Sequence, residues 1–225
     1  MEAEQLIKRL KSLRNEKSLE GMARYGINTT NAFGISMVEL RKIAKECGKN
    51  QVLAEYLWQA AYHETRILAT MIAENKKITS ELMDSWVKDF DSWDVCDQCC
   101  CNLFRYTTLA YDKSIAWTSS GHEFTKRAGF TLMACLATGD KKANDEKFLQ
   151  FFPLIIKHAN DERNFVRKAV NWALRQIGKR SHFLRLEALK RIEELLKNNN
   201  KTAQWIAKDA LRELNEEKII KRIRR

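Results

Sequence analysis

The chain has 225 residues, with 40 Lys plus Arg against 29 Asp plus Glu (net +11), one proline and eight glycines. So few breakers exclude a strand-rich fold, which needs turn residues roughly every 8–12 positions. The charge decides nothing about fold, but it favours polyanionic partners, nucleic acid first and an acidic membrane surface second.

In chain order, Glu2 to Leu13 reads as a charged amphipathic helix with Leu6, Leu10 and Leu13 on one stripe, and it lacks the apolar region of a signal peptide. Val38, Ile43 and Ala44 belong to a second stripe, and Trp58 and Trp86 suit an apolar core. Cys96, Cys99, Cys100 and Cys101 lie in an apolar helical stretch with no second pair and no nearby histidine. Small core residues account for them better than a zinc site, which draws on separated knuckles. The longest apolar runs, Ala128–Ala137 and Phe151–Ile156, fall short of the roughly 18–20 residues of a bilayer span. We therefore expect a reducing, cytoplasmic setting with all six cysteines as free thiols. The expected connections are Gly48–Gln51, Glu74–Thr79, Gly139–Asn144, Asn160–Asn164 and Asn198–Asn200. They are short enough to make neighbouring helices antiparallel. Without a Ser/Gly/Pro-rich linker, residues 1–225 read as one domain.

The chain repeats itself weakly. Phe124 to Ala128 aligns with Phe165 to Ala169, 41 residues on, and Ala173-Leu174-Arg175 recurs 37 residues later as Ala210-Leu211-Arg212. A period near 40 with two helices per unit is the mark of HEAT-type solenoids. The expected fold is an all-α, HEAT-like repeat solenoid of antiparallel helix pairs with a basic concave face. Lys126, Arg127, Arg167, Lys168, Arg175 and Lys208 occupy equivalent or nearby repeat positions, so stacking would align them as a track for a phosphate backbone.

Two segments differ from generic repeat sequence. In Asp91 to Asp97, Trp93 and Asp97 are four apart and share a helical face, an indole beside a carboxylate. In Asn171 to Arg175, Trp172 shares its face with the cations Lys168 and Arg175. Read alone, Asp97 is equally a helix-terminal charge or an ion-pair partner, and Trp93 a core residue.

Together "GMARYGI" (from Gly21) with Gly34-Ile35, "SWDVCD" (from Ser92), "KRAGF" (from Lys126) and "RKAVNWALRQIGK" (from Arg167) resemble the AlkD-type alkylpurine DNA glycosylases, in order and at similar spacing. The resemblance implies a catalytic carboxylate at Asp97, and aromatic walls around a damaged nucleotide at Trp93 and Trp172. It also implies a phosphate contact near the lesion at Arg127, a further basic groove residue at Arg175, and a groove-approaching segment at Arg24 and Tyr25, while Lys126 and Lys168 are expected to bind DNA from their places on the cationic stripe. The implied activity is excision of cationic N3- or N7-alkylated purines from double-stranded DNA without base flipping. It implies no cofactor, no metal and no membrane, and we expect a monomer. His63, His122, His158 and His182 show no metal-ligand spacing and receive no role.

Asn28-Thr29-Thr30-Asn31 departs from the family pattern, since such residues favour caps and turns over helix interiors. The helix there is expected to be shortened, which leaves two alternatives to excision open. One is a non-catalytic DNA-binding HEAT-repeat paralogue and the other a protein-binding scaffold.

Overall fold

A computed structural model describes residues 2–223, and every regular element among them is a helix. The chain falls into two compact units, Met1–Thr107 and Thr108–Arg225.

The first unit contains α1 (Ala3–Ser12), α2 (Glu16–Arg24), α3 (Met37–Cys47), α4 (Gln51–Gln59), α5 (His63–Ile72), α6 (Ser80–Lys88) and α7 (Trp93–Asn102). Helices α3, α5 and α7 form a row of packed neighbours, with α4 against α5 and α1 against α4. Leu6 and Leu10 are fully buried as their spacing predicts, whereas Leu13 follows the end of α1 and is exposed. On α3 the inward pair is Leu40 and Ile43, and Val38 points to solvent. The expected stripe was misaligned there. At 3.6 residues per turn, three positions return to nearly the same face and five do not. Trp58 and Trp86 are buried and stack with ring centroids 4.0 Å apart.

The second unit contains α8 (Ala110–Ala116), α9 (Glu123–Gly139), α10 (Glu146–Leu149), α11 (Phe151–His158), α12 (Asn164–Gly178), α13 (His182–Leu196), α14 (Lys201–Leu214) and α15 (Glu217–Ile220). Here the row is α9, α12 and α14, with α8 against α9 and α13 against α12 and α14. One apolar core, including Phe130, Phe148, Val170, Leu174, Ile192 and Ile206, runs through it. Pro153 sits in the first turn of α11, where its missing N–H has no intrahelical acceptor to serve.

The repeat detected in the sequence is physical in this unit. Phe124 and Phe165 meet ring to ring with centroids 5.4 Å apart. Cross-links join residues 38 apart, Arg127 Nη1 to the Phe165 carbonyl (2.7 Å) and Asn171 Nδ2 to Asp209 Oδ2 (2.7 Å). In the first unit the equivalent links span 31 residues, Trp58 Nε1 to Asp89 Oδ2 and His63 Nε2 to Asp94 Oδ2, each at 2.8 Å. The period there is shorter because α3, α5 and α7 have 11, 10 and 10 residues, against 17, 15 and 14 in α9, α12 and α14.

The polar connections stop and start the helices. Asn15, Ser36, Asn50, Thr79, Ser181 and Asn200 each accept a backbone N–H of the following first turn, so the asparagine run at 198–200 ends as the cap of α14. Cys96, Cys99 and Cys100 are fully buried free thiols, as a core role requires, and burial pushes the Cys99 and Cys100 thiols well up. Cys47 is also free, but Cys101 and Cys135 are disulfide-bonded, which corrects the expectation of six free thiols. That expectation rested on compartment, whereas bonding depends on Cβ geometry that sequence spacing does not reveal. No helix among the described residues is long and apolar enough to cross a membrane.

Candidate nucleic-acid interface

Helix α7 turns Val95, Cys96, Cys99 and Cys100 inward and leaves Trp93, Asp94, Asp97 and Gln98 half-buried. The start of α7 is fixed from two directions. The Trp93 indole Nε1 donates to the Tyr25 carbonyl at 3.0 Å. The Asn28 N–H donates to Ser92 Oγ at 2.9 Å, and Asn28 Nδ2 donates to Asp91 Oδ2 at 3.1 Å. Helix α2 does stop at Arg24, ahead of the polar run, so the run forms a loop. Asn28 makes that loop an anchor for the Asp91–Trp93 segment. The fold thereby brings together two segments that sequence reading marked separately, Arg24-Tyr25 and Trp93. Arg24 and Tyr25 both remain exposed.

Beneath this surface lies a charge cluster that sequence reading missed. His63 Nε2 is 2.8 Å from Asp94 Oδ2, and Nδ1 lies 3.8 Å from Glu64 Oε1. Burial works against a charge on His63, but Asp94 and Glu64 outweigh it and push its pKa up to about 9. The fully buried Glu64 carboxylate accepts the backbone N–H groups of Phe33 (2.8 Å), Gly34 (2.7 Å) and Ile35 (3.2 Å). Burial opposes its charge too, yet His63 and the Phe33 N–H hold the carboxyl below its usual range. Gly34 has φ +76°, and a Cβ there would stand 2.4 Å from the Asn15 carbonyl oxygen, so this turn requires glycine.

The second unit holds the remaining candidates, and they differ from one another. Lys168 is exposed on α12. Lys126 is paired with Asp161 at 3.0 Å, and Asp161 also takes a two-pronged contact from Arg163 that holds its carboxyl far below the usual range. Arg127 is buried and donates to the Phe165 carbonyl. Arg175 pairs with Glu213 and lies 3.8 Å from Asp209. Burial raises the Glu213 carboxyl, but Lys179 and Arg175 together draw it below its ordinary value. Trp172 is half-buried, with its Nε1 3.0 Å from the Gln176 side-chain oxygen when that amide faces its donors.

Charge is divided unevenly between the units. Residues 1–107 carry 15 Lys plus Arg and 15 Asp plus Glu, and residues 108–225 carry 25 and 14, so the whole +11 belongs to the second unit. A surface of that sign attracts a phosphate backbone. No group of three or more His, Cys, Asp or Glu among the described residues is arranged to hold a metal ion.

Comparison with known proteins agrees with these features. No curated protein matches the chain. One solved structure represents a new family of proteins related to the HEAT-like repeat DNA glycosylases, with affinity for branched DNA structures. It superposes with a TM-score of 0.78 at 20% identity, over 94% of this chain and 95% of that one. The shared fold is the HEAT-like helical repeat expected from the 41-residue offset. The sequence matches the DNA alkylation repair enzyme family over residues 6–214, and the chain belongs to that family.

Proposed function

We propose that the chain is a monofunctional DNA glycosylase that releases cationic N3- or N7-alkylated purines from duplex DNA and leaves an abasic site, without turning the base out of the stack. The observation that carries this reading is the Trp93–Asp97 pair, an indole and a carboxylate on one face of an α7 whose first residues are anchored by Tyr25 and Asn28.

Alkylation at N3 or N7 makes the purine a cationic leaving group. The C1′–N bond breaks with its electron pair passing to the base, and positive charge gathers on the sugar. A carboxylate placed near that charge stabilises it. We assign that task to Asp97, together with orientation of the water that adds at C1′. Trp93 supplies an aromatic face to the cationic nucleotide, worth about 0.5–2 kcal/mol. A neutral base gains little from such groups, so selectivity for cationic lesions follows. Arg24, Tyr25 and Lys168, being exposed, are assigned direct backbone contacts. Lys126, Arg127 and Arg175 already satisfy internal partners, so we assign them the shaping of the surface and only a secondary share of phosphate binding.

A second reading is DNA binding without excision, favoured by the fold shared with a protein that has affinity for branched DNA structures. Release of 3-methyladenine and 7-methylguanine from methylated duplex DNA separates the two. Wild type releasing base while Asp97→Asn binds DNA but releases none supports the glycosylase. Binding without release by wild type supports the second reading.

A further inference from the structure

Helix α14 buries Thr202, Ala203, Ile206, Ala207, Ala210 and Leu214. Its opposite face carries Lys201, Trp205, Lys208 and Arg212, spaced four, three and four residues apart, all exposed. That spacing puts a tryptophan in a line of cations along one side of the helix. Trp205 takes no part in the core of the second unit and leaves 38% of its surface open. An indole left open where cations surround it has a use in contact with something both flat and anionic.

The neighbouring helix adds to the patch. The Arg167 guanidinium of α12 lies 5.1 Å from the centre of the Trp205 ring. Arg167 Nη2 donates to Asn164 Oδ1 at a long 3.3 Å, and its guanidinium forms no ion pair with a carboxylate among the described residues. Lys201 and Lys208 form no ion pair among the described residues. The one carboxylate on this stretch of helix, Asp209, is engaged by Asn171, Arg175 and Arg212. The patch is therefore a positive field around a partly exposed indole that has the Arg167 guanidinium over its ring, in the unit that carries the entire net charge.

We propose that the Trp205 patch binds unpaired nucleotides of DNA, the indole stacking on an exposed base while Lys201, Lys208 and Arg167 contact the flanking phosphates. A fully paired duplex offers phosphates but no open base face, so it engages the cations without the indole. An unpaired strand offers both, and base–aromatic stacking is tolerant of sequence. None of these residues is among those assigned to excision. It rests on the reading of this chain as a DNA-binding protein only for the class of its partner.

The test is fluorescence anisotropy with two labelled probes, a blunt duplex and the same duplex with a single-stranded overhang. The proteins compared are wild type, Trp205→Ala, Trp205→Phe and the double change Lys201→Gln/Lys208→Gln. Wild type is expected to prefer the overhang. Trp205→Ala should lose about tenfold in affinity for the overhang probe and stay within about twofold on the blunt duplex, and Trp205→Phe should recover most of the loss. The lysine double variant should weaken both probes and flatten their salt dependence. Equal overhang affinity for wild type and Trp205→Ala overturns the proposal while leaving duplex binding, and the glycosylase reading, intact. Failure of wild type to bind either probe overturns both. Because Trp205 lies outside the core, unchanged circular dichroism and melting of each variant are expected. Release of alkylated base from blunt duplex by Trp205→Ala should equal that of wild type.

Discussion

The indole of Trp93 and the backbone carbonyl of Tyr25, 68 residues apart in sequence, are joined by a 3.0 Å hydrogen bond. It ties the start of α7 to the end of α2 and sets the direction of a ring whose residue lies four positions before Asp97 on the helix. Trp93→Phe keeps the aromatic surface and removes the donor. The expected result is a fall in excision of about fivefold, the worth of one hydrogen bond, with unfolding changed by no more than about 1 kcal/mol. Single-turnover base release beside urea denaturation checks it.

The His63–Asp94 contact makes stability depend on alkaline pH. The folded-state pKa of about 9 lies above the unfolded value near 6.5, so the cluster's contribution is complete below about pH 6.5 and is lost as pH rises through about 9. With Glu64 buried and Asp94 half-buried beside it, the loss should be on the order of 2 kcal/mol. Denaturation midpoints of wild type between pH 6 and 10 should show this step, and those of His63→Gln should not.

Gly34→Ala should destabilise the first unit by more than about 1 kcal/mol, because φ +76° and the Asn15 carbonyl leave no room for a Cβ. The same turn presents its N–H groups to Glu64, so Glu64→Gln should also destabilise, by about 1–3 kcal/mol. Thermal melts of both variants at neutral pH test the pair.

Two lysines with the same sequence-based assignment should behave differently. Lys168 is exposed, so Lys168→Gln should lower DNA affinity and reduce the salt slope by about one, with stability unchanged. Lys126 is paired with Asp161, so Lys126→Gln should lower the melting temperature and move the salt slope less. Binding titrations across a range of salt concentrations, with melts of the same samples, distinguish the two.

The parts legible in the sequence are those fixed by local spacing. The offset between Phe124 and Phe165 marked them as equivalent repeat positions, and their rings meet in the structure, while Trp58 and Trp86 suit the core in which they are buried. The asparagines and serines before helices acted as caps. What stayed hidden depends on pairs brought together only by packing. His63 looked idle because its partner Asp94 is 31 residues away, and Glu64 gave no sign of the three backbone donors waiting at Phe33 to Ile35. Asn28 read as a helix breaker, which it is, but its bonds to Ser92 and Asp91 could not be seen in composition. The cationic stripe read as uniform until Asp161 and Glu213 appeared as partners of Lys126 and Arg175.

We propose that Asp97 stabilises the positive charge that forms as the glycosidic bond breaks. Single-turnover release of 7-methylguanine from a duplex with one such lesion, measured for wild type and Asp97→Asn at saturating protein, tests it most directly. The expected result is measurable release by wild type and a loss of at least about 100-fold in Asp97→Asn, with DNA affinity kept within about twofold. Release by Asp97→Asn at the wild-type rate, or no release by a wild type that binds the duplex, would contradict it.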